Sequence, residues 1–160
     1  VKPLKVLIIY DSSTGNTEKM AHAVEDGVKK SGVTPVIKHI DEASVDEIPQ
    51  YQGLILGSPV YYGLPSSKIK KFIDESVKYH GKLDGMVGGA FASAGGTHTG
   101  AESTIIAINE MLLVHGMVIQ GSSSGSHYGA SSVGSPNDAS LEACRKLGER
   151  VGKLVNRLNK

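Results

Sequence analysis

Residues 4–17, LKVLIIYDSSTGNT, decide how this chain is read. Leu4 to Tyr10 holds the apolar run Val6-Leu7-Ile8-Ile9, short and partly β-branched, which is the pattern of a strand buried on both faces. The loop Asp11 to Asn16 follows. Beyond it Met20, Ala21, Val24 and Val28 recur at three-to-four spacing between Glu18, Lys19, Glu25 and Lys29, an amphipathic helix that ends near Ser31 and Gly32. A buried strand turning through a polar loop into such a helix opens an alternating α/β chain.

The rest of the sequence continues the alternation. Pro35 to Ile40 starts with proline and reads as a strand at the rim of a sheet. Gly53 to Ser58 is a third strand, Ser66 to Val77 a helix with Ile69, Phe72, Ile73 and Val77 on one face, and Met86 to Ala92 a fourth strand. Glu102 to Val114 is a helix, Met117 to Gln120 a fifth strand, and residues 121–135 a Ser/Gly-rich loop. The last helix, capped by Asp138 or Ser140, carries Leu141, Cys144, Leu147, Val151, Leu154 and Leu158 on one stripe. Five strands alternating with four helices predict an α/β, doubly wound parallel sheet with helices on both faces, because each right-handed crossover must bury a helix stripe. A length of 160 residues suits one core, so one domain over residues 1–160 is expected.

Composition narrows the function. The net charge of +1 is scattered along the chain, so no field singles out nucleic acid. No apolar run approaches the roughly 18 residues of a membrane span, so no membrane partner is expected. One cysteine cannot form an internal disulfide, and no charged-then-apolar leader precedes the first strand, which leads to an expected cytoplasmic location. Glycine makes up 20 of 160 residues, well above the average of roughly 7%. Most of these glycines follow apolar runs or lie in Ser/Thr-rich stretches, where a ligand can approach the backbone.

In doubly wound sheets ligands bind outside the carboxyl ends of the strands, so the loops there carry the chemistry. Ser12-Ser13-Thr14-Gly15-Asn16-Thr17 offers hydroxyls, an amide and backbone N–H groups at a helix N-terminus, a natural anion site that lacks Lys or Arg. An ordinary Ser/Thr cap explains one or two of these hydroxyls but not the cluster. Walker and G-x-G-x-x-G signatures are absent. Cys144 and Arg150 have C-x5-R phosphatase spacing, but they lie about 240° apart within one helix, and Cys144 reads as a core residue. Ser58 to Pro65 holds two prolines, Gly63 and the pair Tyr61-Tyr62, a flat apolar face with polar edges suited to a planar heterocycle. Ser93-Ala94-Gly95-Gly96-Thr97-His98-Thr99-Gly100 supplies room and backbone donors. Ser126 to Ala130 follows the fifth strand. His98 and His127 are candidate substrate-positioning groups or proton donors, because histidine titrates near neutrality. His22, His39, His80 and His115 have no metal-ligand spacing and read as structural.

Taken together and in order, these loops resemble those of the flavodoxin-like flavoproteins, over essentially the whole chain. Ser12 to Thr17 resembles the loop that holds the 5′-phosphate of FMN without a basic residue. Gly57-Ser58-Pro59-Val60-Tyr61-Tyr62-Gly63 is similar to the loop of the NAD(P)H:quinone oxidoreductase branch typified by the tryptophan-repressor-binding protein, as are Ser93 to Thr97 and His127-Tyr128-Gly129-Ala130. The resemblance implies a flavodoxin-like five-stranded parallel sheet of order 2-1-3-4-5 and an FMN cofactor. Ser12, Ser13, Thr14, Gly15, Asn16 and Thr17 would hold the phosphate. Pro59, Val60, Tyr61, Tyr62 and Gly63 would face the isoalloxazine, Ser93, Ala94, Gly95, Gly96 and Thr97 would wrap the pyrimidine side and ribityl chain, and His127 and Tyr128 would close the site. Flavin would supply the redox chemistry and the protein binding, orientation and electrostatics.

Three functions stay open. One is an oxidoreductase passing electrons from NAD(P)H or a redox partner to a quinone-like acceptor, and another is a non-enzymatic electron carrier between proteins. The third is a flavin-free binding module on the same fold. The quinone reductases carry extra residues before strand four and after strand five that are missing here, whereas carriers of this family are strongly acidic and this chain is not. No Asp or Glu lies between Ser58 and Ser67, Ser93 and Ala101, or Gly121 and Asn137, which favours small or weakly charged partners. A homo-oligomer is compatible with the resemblance, and Met111-Leu112-Leu113 is a candidate contact, with burial in the monomer as its other use.

Overall fold

The run of branched apolar residues in β1 (Lys5–Tyr10) lies in the interior of a parallel sheet, and its alternation sends Val6 and Ile8 to one face and Leu7 and Ile9 to the other. The computed structural model describes residues 2–160. After β1 come α1 (Asn16–Lys30), β2 (Thr34–His39), β3 (Gly53–Tyr61), β4 (Leu64–Pro65), α2 (Ser67–Glu75), β5 (Val87–Ala94), α3 (Ala101–Val114), β6 (Val118–Ile119), β7 (Ala130–Val133) and α4 (Asp138–Leu158). The main path of the sheet runs β2-β1-β3-β5-β6, all parallel, with β4 antiparallel to β3 and β7 parallel to β5. This is the expected doubly wound order 2-1-3-4-5, with the proline-bearing β2 on the rim.

The structure revises several details. Among the described residues the sheet has seven strands rather than five. The fifth position is shared by β6 beside the start of β5 and β7 beside its end, so residues 121–135 are not one loop. The third strand continues past Ser58 through Pro59, Val60 and Tyr61 into a hairpin with β4. The cap of α4 is Asn137, whose side chain accepts from the Ser140 N–H at 2.9 Å, so neither Asp138 nor Ser140 fills that role. On α4, Val155 is fully buried whereas Leu158 is exposed. Met111 packs against the core and Leu112 is inside it, which leaves only Leu113 of that trio at the surface.

Each face of the sheet has its own apolar layer. Leu7, Ile9, Leu54, Leu56 and Ala90 meet Ile69 and Phe72 of α2 and Ile105, Ile108 and Leu112 of α3. Val6, Ile8, Ile55 and Phe91 meet Met20, Val24 and Val28 of α1 and Cys144, Leu147, Val151 and Val155 of α4. Burial pushes the Cys144 thiol up to about 12, which leaves it a protonated core group. His115 is buried beside α2. Ser76 Oγ donates to the Ile73 carbonyl and so accepts from His115 Nε2, while desolvation first and His80 second hold the imidazole below its ordinary pKa. No helix among the described residues is long and apolar enough to cross a membrane.

Helices α1 and α4 touch backbone to backbone. A Cβ on Gly27 would lie 2.0 Å from the Arg145 carbonyl oxygen, and one on Gly148 2.1 Å from the Val24 carbonyl oxygen. Neither clash can be relieved by a rotamer, so the two helices would have to separate. Gly27→Ala gains about 1 kcal/mol of helix propensity, yet overpacking of about 1–3 kcal/mol or more opposes it. A net loss of about 1–2 kcal/mol is expected from urea unfolding of Gly27→Ala or Gly148→Ala. An unchanged or higher midpoint would contradict the backbone contact.

Candidate functional site

Three loops meet at the carboxyl ends of β1, β3 and β5. In the first, Gly15 caps α1 in the left-handed region at φ 93°, and no side chain caps the helix. Ser12 Oγ accepts from the Gly15 N–H at 3.1 Å, and the first helical bond runs from the Lys19 N–H to the Gly15 carbonyl. The N–H groups of Asn16, Thr17 and Glu18 are therefore free of intrahelical partners. Thr17 is buried beneath the loop, and Ser13 and Thr14 are at the surface. Asp11 is also buried, its N–H donating to the Gly57 carbonyl. His39 Nδ1 accepts from the Asp41 N–H, which puts the neutral ring's proton on Nε2, 3.9 Å from Asp11 Oδ1.

The second loop is a tight hairpin. Tyr61 pairs with Leu64, and Tyr62 and Gly63 turn the corner at φ 49° and 76°, the paired positive values of a type I′ turn. The Tyr62 ring stands fully in solvent. Ser58 Oγ braces the base of the hairpin, accepting from the Ser66 N–H and donating to the Pro59 carbonyl. A hydrogen bond of 2.9 Å between Ser13 Oγ and the Tyr61 hydroxyl joins this loop to the first.

The third loop is shorter than the sequence implies. Ser93 and Ala94 are strand residues, paired with Pro59 on one flank and with Ser132 and Val133 on the other, and both are buried. The open segment starts at Gly95. His98 is exposed, with φ 58°. A cavity of ≈ 450 Å³ is lined in part by Gly96, Thr97, His98, Glu102 and Ser131. Glu102 and Ser131 carried no site signal in the sequence, since one lies in the first turn of α3 and the other in a strand that small polar residues conceal. Ser103 Oγ donates to the Gly63 carbonyl at 2.9 Å, so α3 holds the hairpin turn.

His127 and Tyr128 stand apart from these three loops. Gly129 lies against the Ala90 carbonyl, four residues before the end of β5, and Asn109 in the middle of α3 donates to the Tyr128 carbonyl. His127 Nδ1 donates to the Ser122 carbonyl at 2.7 Å, within its own loop. The chain resumes the sheet at Ala130, so His127 and Tyr128, expected to close the site, flank the sheet edge. Among the described residues no three His, Cys, Asp or Glu converge on a metal position.

This arrangement has counterparts among known proteins. A family model described as flavodoxin matches residues 8–154. The chain belongs to the flavodoxin family. A flavodoxin of Aquifex aeolicus is 39% identical, the match covering 94% of this chain and 86% of that protein. An NAD(P)H dehydrogenase (quinone) of Archaeoglobus fulgidus is 32% identical over 96% of this chain and 98% of that one. A flavodoxin, WrbA-like protein from Agrobacterium tumefaciens superposes with a TM-score of 0.82 at 25% identity, covering 96% of this chain and 98% of the other.

Family membership implies an FMN cofactor, and the first loop suits its phosphate. Uncapped N–H groups and hydroxyls converge there without a cation, and Gly15 has open space where a side chain would stand. The contact that keeps the hairpin near this loop is also testable. Gly100 has φ 116°, and a Cβ there would lie 2.6 Å from Gly63 Cα. Gly100→Ala is expected to cost about 1–3 kcal/mol in urea unfolding, from backbone strain and from the clash together. Neutral behaviour would show that α3 does not hold the turn.

Proposed function

We propose that this flavodoxin-family chain is an FMN-dependent oxidoreductase that takes reducing equivalents from NAD(P)H and delivers them to a quinone-like acceptor. The observation that carries the reading is the assembly of the first three loops around an uncapped helix N-terminus, beside a mouth where Tyr62 is exposed. The quinone-dehydrogenase name of a relative aligned over nearly its whole length supports the choice of donor and acceptor.

In this reading the hydroxyls of Ser13, Thr14 and Thr17 and the free N–H groups of Asn16 and Thr17 hold the phosphate, in a turn that the Gly15 N–H shapes by donating to Ser12 Oγ. The positive end of α1 offsets its charge in place of Lys or Arg. Tyr61, fixed by Ser13, and the rigid turn at Tyr62 and Gly63 flank the flavin ring, with Pro59 and Val60 shaping the wall beneath. Gly95, Gly96 and Thr97 offer small side chains and backbone donors to its polar edge, while Ser93 and Ala94 form the floor. Bound FMN supplies hydride and electron transfer between donor and acceptor. His98 at the mouth is the proton donor for the reduced acceptor, and nearby Glu102 helps orient polar groups entering the same cavity. His127 and Tyr128 are assigned no part in the chemistry.

The carrier reading draws on the flavodoxin of Aquifex aeolicus, which is the more identical of the two relatives. An anaerobic experiment separates the two. With the protein loaded with FMN, NADH or NADPH is expected to bleach the flavin's visible absorbance, and a benzoquinone to restore it. No bleaching by either nucleotide, with ready reduction by dithionite, would overturn the enzyme reading in favour of a carrier.

A further inference from the structure

The outer face of α4 carries Lys146, Arg150, Lys153 and Arg157. At 100° per residue these four lie within about 60° of one another around the helix, along an axial length of about 16 Å. All four line a surface cavity of ≈ 340 Å³ together with Gln120, Glu149 and Leu154. Lys146 and Arg150 also line an adjoining cavity of ≈ 290 Å³, whose other walls include Ser122, Ser124 and Ser126.

The charge in this groove is not balanced from within. Glu149 already pairs with Lys30 and Lys153, and Glu142, which lines the adjoining cavity, pairs with Arg145. Among the described residues Lys146, Arg150 and Arg157 have no carboxylate within 4.0 Å. Arg150 Nε donates to the Gln120 carbonyl at 3.2 Å, which fixes the guanidinium beside the sheet edge. Partial burial pulls that guanidinium below its ordinary pKa, as expected for a cation lacking a counter-charge.

The sheet edge itself is the second observation. Strand β6 ends the main path and, among the described residues, pairs only with β5. The Val118 N–H points inward to the Met86 carbonyl, so the alternation of a parallel ladder turns the backbone groups of Ile119 outward. In this two-residue strand Ile119 offers an extended chain beside the cationic stripe one main-chain anchor, since main-chain bonds give affinity and alternate side chains give specificity. Successive side chains on one face of such a chain are about 6.6 Å apart, close to the 6 Å rise between Lys146 and Arg150.

We propose that this groove docks an extended acidic segment of a partner protein, its main chain running along β6 and its carboxylates meeting Lys146, Arg150 and Arg157. The cations are spread along the helix rather than converging, so a single phosphate reaches too few of them. A single-stranded nucleic acid has suitable charge spacing, but no aromatic side chain lines either cavity to stack its bases. The surface is separate from the three carboxyl-end loops, so docking is independent of what those loops bind.

The test uses the full chain and a fluorescein-labelled peptide of about six residues alternating threonine and glutamate, long enough to span the stripe. Fluorescence anisotropy at low salt is expected to show saturable binding, weakened by added salt and unchanged by FMN. The variant combining K146E and R157E changes two exposed side chains and is expected to weaken binding at least about tenfold. Arg150→Gln is expected to weaken it as well, with native circular dichroism confirming the fold of both variants. Absence of binding, equal affinity for the glutamine version of the peptide, or insensitivity to these substitutions would overturn the proposal. Tighter, substitution-sensitive binding of a single-stranded oligonucleotide would overturn it in favour of nucleic acid.

Discussion

The contact on which the rest depends is the backbone approach of α1 and α4 at Gly27 and Gly148. A parallel sheet buried on both faces needs a helix layer on each. On this face two helices share the space over β1, β3 and β5. Fixing α1 against α4 also fixes where α1 begins, and its first turn carries the uncapped N–H groups beside the Ser12 to Thr17 loop. Stability and site geometry are thus set by the same glycine contact.

The second constraint is lateral. Loops at the ends of three strands make one site only if something holds them together, and polar bonds between loops do so here. Ser13 ties the first loop to Tyr61, Ser103 ties α3 to the turn at Gly63, and Gly100 lets α3 approach that turn closely. None of these bonds is part of a strand ladder. The sheet positions the loops roughly, and these links give them a common geometry.

Most of the fold was legible because its signals are local. Val6 to Ile9, the Met20-Val24-Val28 stripe and the proline of β2 each state their environment through side-chain type and spacing. The loop from Ser12 to Thr17 was legible for the same reason, as a dense cluster of hydroxyls between strand and helix. Ala130 to Val133 was not, because Ala, Ser, Ser and Val carry neither alternation nor a long apolar run, and β7 exists only by pairing with β5. Missing that strand misplaced His127 and Tyr128: read as following the last strand, they belonged at the carboxyl end, but with the strand restarting after them they lie beside the middle of α3. Ser93 and Ala94 were read as loop because small residues before glycines look like one. The basic stripe of α4 was hidden by the chain's near-neutral total charge.

In the proposed function the α1 N-terminus and the loops after β3 and β5 form one flavin site. A backbone amide chemical-shift map of the full chain during titration with FMN tests it most directly. The largest shifts are expected at Ser12 to Thr17, Tyr61 to Gly63 and Gly95 to Thr97, with His127 and Tyr128 moving little. Shifts centred on α4 and the β6 edge, or none in the first loop, would contradict it.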